Sequence, residues 1–256
     1  MIKIGPAGLG GVKEAAANLH EFAKKEIKAC EIAFTYGVYI KEQDALEIGN
    51  TARDLDISLS IHAPYWINLN SDDRNKIEQS KKRILDSCNI GDKLGARYVV
   101  FHPGYYNKNK EKSFDNIKNA VIDIRNKIKE QGWSCDAIPE TMGKVNVFGS
   151  IDETLKLVKE TSCFFCIDFA HLLARSNGKM TYKEMYHRVE EFPILHCHFS
   201  GIVYGDKGEK HHKITPDEEW TALLKVLPKA KDITIINESP EPVDDSVKGL
   251  KILDTM

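Results

Sequence analysis

The sequence of 256 residues lacks any apolar run of the roughly 18–20 residues that a membrane-spanning helix needs. It also lacks a strong charge of either sign. A formal net charge of −2 argues against nucleic-acid binding by bulk charge, although it does not exclude a local basic patch. No linker, low-complexity tract or internal repeat divides the chain. These absences favour one globular domain over residues 1–256, with no membrane partner.

Cysteine is also sparse, with six residues, and a chain of this length does not suggest a disulfide framework. Cys163 and Cys166 have CxxC spacing, but they lie in an apolar run, so we interpret them as packing residues and not as a redox or metal site. The segment Met1–Pro6 has the pattern of a strand and not of a cleavable signal peptide. We therefore expect a cytoplasmic protein.

What the chain does contain is a regular alternation of short apolar runs and longer amphipathic segments. The apolar runs are rich in Val, Ile and Phe without polar alternation, as in strands that are buried on both faces. The predicted strands are Ile2–Gly5, Cys30–Phe34, Leu59–His62, Tyr98–His102, Cys135–Glu140, Phe164–Asp168, Ile194–Phe199 and Ile233–Glu238. The predicted helices are Val12–Glu26, Arg74–Leu94, Phe114–Lys129, Ser150–Lys159, Tyr182–Glu191, Pro216–Leu227 and Ser246–Thr255. Eight strands in this pattern predict an α/β fold, a single (β/α)8 TIM barrel, with an open doubly wound sheet as the alternative.

Six of the eight predicted strands end in a residue that could bind a metal. These residues are His62, His102, Glu140, Asp168, His198 and Glu238. In a barrel these strand ends converge on one face, where the active sites of such enzymes lie. A buried apolar strand has no packing reason to end in a carboxylate or imidazole, because an unpaired charge there is costly. One such residue is usually a hydrogen-bonded core residue, but six together predict a metal centre.

Two local spacings extend this set of ligands. Asp168 and His171 stand three residues apart at a strand-to-helix turn, so both can point into one cavity. Glu209 and His211 follow the seventh strand and would share one side of an extended segment. Imidazole and carboxylate ligands suit Zn²⁺, and Mn²⁺ or Fe²⁺ less specifically. Five histidines and four acids exceed the needs of one ion, so we expect two or three metals.

These residues and their surroundings resemble the endonuclease IV family of apurinic/apyrimidinic endonucleases, which are trinuclear zinc (β/α)8 barrels within the xylose-isomerase-like superfamily. The resemblance covers nearly the whole chain and occupies nine ligand positions in family order. It rests on the segments His62–Leu69, Phe101–Gly104, Pro139–Thr141, Cys166–His171, His198–Ser200, Glu209–His212 and Asn237–Pro240.

The resemblance implies a role for each ligand. The first zinc would be held by His62, His102 and Glu140, and Glu140 would bridge to the second as the catalytic carboxylate. Asp168, His198 and Glu238 would complete the second site, and His171, Glu209 and His211 would hold a third zinc. In this family a hydroxide attacks the phosphorus 5′ to an abasic site in base excision repair, and the products are a 3′-hydroxyl and a 5′-deoxyribose phosphate.

Other features bear on the substrate. Tyr65 and Trp66 directly follow His62 and could stack on a base or sugar, and His212 is a further candidate for substrate contact. The sequence departs from the family in three ways. Glu209 stands where the family has Asp, the Gln-Arg pair inserted into DNA after strand two is absent, and the chain is somewhat short.

The expected function is therefore a zinc phosphodiesterase that acts as a monomer on DNA containing abasic sites. Two alternatives stay open. A sugar isomerase or epimerase of the xylose-isomerase-like barrels would use one or two divalent metals and has no use for Glu209 and His211. A non-catalytic barrel would bind abasic DNA without cleaving it.

Overall fold

The computed structural model describes residues 1–106 and 109–256. Its strands are β1 (Ile2–Pro6), β2 (Ala29–Ala33), β3 (Ser58–His62), β4 (Tyr98–Phe101), β5 (Asp136–Pro139), β6 (Cys166–Asp168), β7 (Ile194–Phe199), β8 (Gly201–Gly205), β9 (Gly208–Lys213) and β10 (Asp232–Asn237). Its helices are α1 (Ala15–Lys24), α2 (Glu42–Asp54), α3 (Arg74–Leu94), α4 (Lys110–Gln131), α5 (Ile151–Thr161), α6 (Phe169–Arg175), α7 (Tyr182–His187), α8 (Asp217–Leu224) and α9 (Pro242–Asp254).

Eight parallel strands form the barrel. Two four-stranded sheets, in the orders β1-β10-β7-β6 and β2-β3-β4-β5, supply its two halves. Parallel bridges close both seams: Ala7 pairs with Glu31 between β1 and β2, and Glu140 pairs with Cys166 between β5 and β6. The strands therefore follow one another around a ring in chain order, and the predicted (β/α)8 barrel is confirmed.

Local signals place the helices around this ring. The helix α3 has the predicted bounds: Asp73 caps its first turn by accepting a hydrogen bond from the Asn75 N–H, and Gly95 ends it with φ of 67°. The helix α5 begins with a capping box, in which Ser150 and Glu153 satisfy each other's backbone N–H groups. No helix in the described residues is long and apolar enough to cross a membrane.

The structure adds three elements that the sequence pattern does not predict. The helix α2 buries mostly small groups, including Ala45, Gly49 and Ala52, so its apolar stripe is weak in the sequence. The short helix α6 begins directly at the end of β6, without an intervening loop. The segment after the seventh barrel strand, expected as a loop, is an antiparallel hairpin of β8 and β9.

A buried carboxylate ties the end of the chain to the barrel. Asp245, in α9, is 3% exposed and accepts hydrogen bonds from Thr215 N at 2.9 Å and Trp220 Nε1 at 3.1 Å. Asn237 Nδ2, at the end of β10, donates to the same carboxylate at 3.2 Å. Burial opposes ionisation of Asp245, but these donors and Lys248 hold its pKa below its usual value. One side chain thus joins α9, α8 and β10.

Replacing Asp245 with Ala should lower the free energy of unfolding by about 3 kcal/mol, because several buried donors would lose their acceptor. Urea denaturation followed by circular dichroism would measure this loss. The matched control is Asp244→Ala, since the Asp244 side chain is 78% exposed and pairs only at the surface with Lys25. A cost for Asp245→Ala as small as that of the control would contradict the structural role.

Candidate metal centre

The barrel brings the strand-end residues together at one mouth. His62 ends β3, His102 follows β4, and Glu140 follows β5. On the other half of the ring, Asp168 ends β6 and Glu238 follows β10. These side chains approach one another because the carboxyl ends of all eight strands face the same way. A cavity of about 350 Å³ opens beside them, and its walls include His62, Tyr65, His102, His171, Glu209 and Glu238.

Glu140 lies at the centre of this cluster and is 0% exposed. Its Oε2 faces His62 Nε2 at 3.3 Å and His102 Nε2 at 3.0 Å. Its Oε1 faces His171 Nδ1 and His198 Nδ1, each at 3.2 Å. Burial opposes ionisation, but the imidazoles of His198 and His102 hold the pKa of Glu140 well below its usual value. The two carboxylate oxygens therefore point toward two different groups of potential ligands.

The residues at the mouth form three groups in which the donor atoms lie within 4.8 Å of one another. The groups are His62, His102 and Glu140; Glu140, Asp168, His198 and Glu238; and His171, Glu209 and His212. The first two groups share Glu140. Mixed imidazole and carboxylate donors of this kind fit Zn²⁺ or a similar divalent ion.

Asp168 gives a second reason to place a cation here. Its Oδ1 accepts a hydrogen bond of 2.7 Å from the His171 N–H and so caps α6, which explains the spacing of three residues between them. Its buried Oδ2 lies 3.1 Å from His171 Nδ1 but accepts no hydrogen bond among the described residues. Burial raises the pKa of Asp168 to about 6, with Glu140 and Glu238 adding to the rise against the opposing effect of His171. A divalent ion would satisfy this oxygen and offset the clustered negative charge.

The ring nitrogens are oriented by neighbouring acceptors. His62 Nδ1 lies 2.9 Å from the carbonyl oxygen of Ala63, which leaves Nε2 for the cluster. His171 Nδ1 lies 3.0 Å from the carbonyl oxygen of Thr141, and its Nε2 faces Glu209 Oε2 at 3.5 Å. Such acceptors fix the tautomer of a metal-binding imidazole. Both rings can therefore present a free Nε2 lone pair.

The hairpin of β8 and β9 supplies the remaining candidate ligands. Glu209 docks closely on the loop after β5: its N–H donates to the Gly143 carbonyl at 3.2 Å. A Cβ on Gly143 would stand 2.7 Å from Glu209 Cβ, so only glycine permits this approach. His212 lies at the same end of the cavity, with Nδ1 2.6 Å from Ser200 Oγ. The hairpin thus carries Glu209 and His212 to His171.

The structure places His211 differently from the expectation. His211 is exposed and belongs to none of the ligand groups found among the described residues. The reason is a bulge in β9: Val203 pairs with His211 but Tyr204 pairs with Glu209, so Lys210 is an extra residue. The bulge reverses the alternation of side chains, and Glu209 shares its side with His212 instead of His211.

Exposed aromatic residues border the cavity. The ring centroid of Tyr65 lies 6.0 Å from that of His62 and 6.1 Å from that of His102. Trp66 follows it and is 66% exposed, although a large apolar side chain gains nothing from water. Of these two positions, expected to face the substrate, Tyr65 lines the cavity beside the candidate ligands, and Trp66 is not among the lining residues described.

The structure also contains a buried acid that does not lie at the end of a strand and was not among the predicted ligands. Glu31 is in the middle of β2, is 0% exposed, and faces His196 and His198 inside the barrel. Burial opposes its ionisation, but His198 and His196 hold the pKa of Glu31 well below its usual value. The signal in the sequence is an acid inside an otherwise apolar strand, Ala29–Ala33.

Comparison with known proteins places the chain in a family. Residues 19–256 match the family described as xylose isomerase-like TIM barrel, and the chain belongs to it. An uncharacterized protein of Methanocaldococcus jannaschii is 36% identical over 243 residues, which cover 89% of this chain and 88% of that protein. The endonuclease 4 homolog of Dictyostelium discoideum is 26% identical over 82% of this chain, but the match spans only 42% of that protein.

Solved structures share the fold. Endonuclease IV from Thermus thermophilus superposes with a TM-score of 0.74 at 18% identity, covering 99% of this chain and 98% of the other. A D-tagatose 3-epimerase-like protein superposes with a TM-score of 0.72 at 20% identity, covering 99% and 96%. At these identities the likeness establishes the barrel and leaves the reaction open.

The bulge in β9 gives a prediction about two adjacent histidines. His212→Ala should weaken zinc binding at the group of His171 and Glu209 by more than the roughly 10–100-fold typical of an outer-shell change. His211→Ala should leave all zinc affinities unchanged. Competition with a chromophoric chelator would measure both. Loss of affinity in the His211 variant, with none in the His212 variant, would make His211 the ligand after all.

Proposed function

We propose that this protein is a zinc-dependent phosphodiesterase of the endonuclease IV type, which cleaves DNA on the 5′ side of abasic sites and leaves a 3′-hydroxyl. The observation that carries the proposal is the presence of three ligand groups at one cavity, two of them joined by Glu140. An endonuclease 4 homolog among the relatives supports it. All three groups come from one chain, so we propose a monomer with three zinc ions.

In such a site the bound ions and the side chains would have separate roles. Bound ions would supply the chemistry by lowering the pKa of a water for attack on phosphorus and by stabilising charge on the leaving oxygen. Glu140 holds the first two groups at a fixed separation through its two oxygens. The third group lies toward the hairpin, where His171, Glu209 and His212 would hold an ion that neutralises charge on the opposite side of the phosphate. Burial of Glu140 and Asp168 keeps this arrangement rigid.

The rim offers contacts for a nucleic acid. Tyr65 presents an exposed ring beside the first ligand group, where an unstacked base or sugar could pack against it, and the exposed Trp66 follows it in the chain. Lys144 lines the cavity, so positive charge is available to a phosphate there. This local arrangement accommodates DNA although the net charge of the chain is −2.

A second candidate is a sugar epimerase with one divalent ion. The observation that favours it is that Glu140, Asp168, His198 and Glu238 form a complete four-ligand group without the other residues. A D-tagatose 3-epimerase-like protein shares the barrel. An epimerase would leave Glu209 and His212 without a role, so three zinc ions per chain favour the phosphodiesterase and a single ion favours the epimerase.

Purified protein loaded with zinc should cut a duplex that carries one tetrahydrofuran abasic analogue, immediately 5′ to the analogue. Gel analysis of the labelled strand would locate the cut and its 3′ end. No incision at high enzyme concentration with full zinc occupancy would refute the proposed reaction. Epimerisation of a ketohexose by the same preparation would support the second candidate.

Glu140→Gln should reduce incision by more than about 100-fold, because a neutral amide cannot bridge two cations and outer-shell changes already cost roughly 10–100-fold. Single-turnover rates on the same duplex would measure the loss. The control is Glu130→Gln, an exposed position on α4, which should cut at the normal rate. Full activity in Glu140→Gln would show that the metal site is assigned wrongly.

Trp66→Ala should weaken binding to abasic duplex by about 5- to 150-fold, the effect of about 1–3 kcal/mol of lost stacking. Zinc affinity should not change, since Trp66 is outside the ligand groups. Phe164→Ala is the matched control, because Phe164 is 43% exposed but precedes β6 at the opposite end of the barrel. Equal losses in both variants would mean that the rim has no specific role.

A further inference from the structure

Glu31 has no place among the metal ligands, yet it is buried directly beneath them. Its carboxylate touches three polar side chains. Ser60 Oγ donates to its Oε2 at 2.8 Å, and His196 Nε2 lies 3.3 Å from the same oxygen. His198 Nε2 lies 3.0 Å from its Oε1, and neither of these two atoms has a hydrogen-bond partner elsewhere in the described residues. A carboxylate buried at this depth destabilises the fold unless neighbouring groups compensate its charge.

His198 connects Glu31 to the second ligand group. Its Nδ1 faces Glu140 Oε1 at 3.2 Å and Glu238 Oε1 at 3.5 Å, while its Nε2 faces Glu31 on the opposite edge of the ring. The ring is 0% exposed, so no water can take the place of either partner. A neutral imidazole carries its proton on one nitrogen, and the acceptor beside that nitrogen selects it.

Neighbouring acceptors also orient the imidazoles of His62 and His171, but these acceptors are backbone carbonyls and not carboxylates. Backbone carbonyls of Ala63 and Thr141 accept from Nδ1 of His62 and His171 and leave Nε2 free. At His198 the order is reversed: Nδ1 faces the ligand group and a carboxylate stands at Nε2. A carboxylate is the stronger acceptor, because its charge also raises the basicity of the ring.

We propose that Glu31 is a positioning residue of the second metal site: it accepts the Nε2–H of His198 and thereby presents the Nδ1 lone pair to the ion shared by Glu140, Asp168 and Glu238. This inference rests on the metal assignment of the proposed function and not on the DNA substrate. Ser60 and His196 hold the second oxygen of Glu31 and so fix the carboxylate in place.

A competing use of the same residues is a further metal site in the barrel core. Cys166, His196 and His198 lie close enough to hold an ion. A cysteine binds metal as the thiolate, however, and burial raises the pKa of the Cys166 thiol well above its usual value. The two nitrogens of His198 also face carboxylates already, one on either side of the ring.

Two substitutions of Glu31 test the proposal by chelator competition on the full chain. In Glu31→Gln the amide oxygen can still accept from His198 but the charge is lost, and in Glu31→Leu both are lost. We expect the affinity for one of the three zinc ions to fall, by about 10-fold in the first variant and up to about 100-fold in the second. The other two should keep their affinities. Glu130→Gln is the control, because Glu130 is exposed on α4 and its loss of charge should leave all three affinities unchanged.

Several outcomes would overturn the proposal. If the affinities for all three zinc ions fell equally, Glu31 would have a general structural role. If no affinity changed, Glu31 would have no role in metal binding. A fourth zinc per wild-type chain, lost in Cys166→Ala, would assign Glu31 to a core metal site. Because the readout is metal affinity, wild-type protein that binds zinc but fails to cut abasic DNA would refute the phosphodiesterase and leave this test intact.

A spectroscopic measurement needs no Glu31 variant. In ¹⁵N NMR spectra of the zinc-loaded protein, the ring of His198 should show a protonated Nε2 and a metal-bound Nδ1. The rings of His62 and His171 should show the opposite pattern. Assignment follows from the signal that is missing in His198→Gln. A zinc-bound Nε2 at His198 would contradict the proposed contact with Glu31.

Discussion

The arrangement at the mouth of the barrel depends on one carboxylate that is removed from water. Glu140 is fully buried, and its two oxygens contact four imidazoles, two on each side. Ionisation at that depth is unfavourable unless positive charge compensates it. The four rings come from elements on both sides of β5, and the closed ring of eight parallel strands is the geometry that brings them together.

Secondary structure and ligand geometry are coupled in this protein. Asp168 uses one oxygen to cap α6 and keeps the other for the cluster, so the start of the helix fixes the distance to His171. The bulge at Lys210 performs a similar function in the hairpin, because one extra residue rotates His212 toward Glu209. In both cases a backbone feature, and not a flexible side chain, sets the position of a ligand.

These features also explain which parts of the site are predictable from the sequence. The barrel and its candidate ligands at the strand ends are predicted by apolar runs that end in His or an acid, since a buried strand has few other reasons to end in such a residue. The place of His212 among the candidate ligands does not follow, because a bulge depends on pairing with β8 and has no signal in a segment of consecutive polar residues. Glu31 can be recognised in the sequence as an acid within Ala29–Ala33. Its contact with His196 cannot, because the two residues are 165 positions apart in the chain.

The barrel itself does not decide between the two candidate reactions. The group of Glu140, Asp168, His198 and Glu238 can hold one ion in either, and structures related to each superpose on this chain with TM-scores of 0.74 and 0.72. What differs is the set of residues around that group. The hairpin that carries Glu209 and His212, and the first group with His62 and His102, add ligands that a single-ion reaction does not need. Because buried and clustered charge is costly to keep without a function, these additions favour chemistry on a phosphate with several ions.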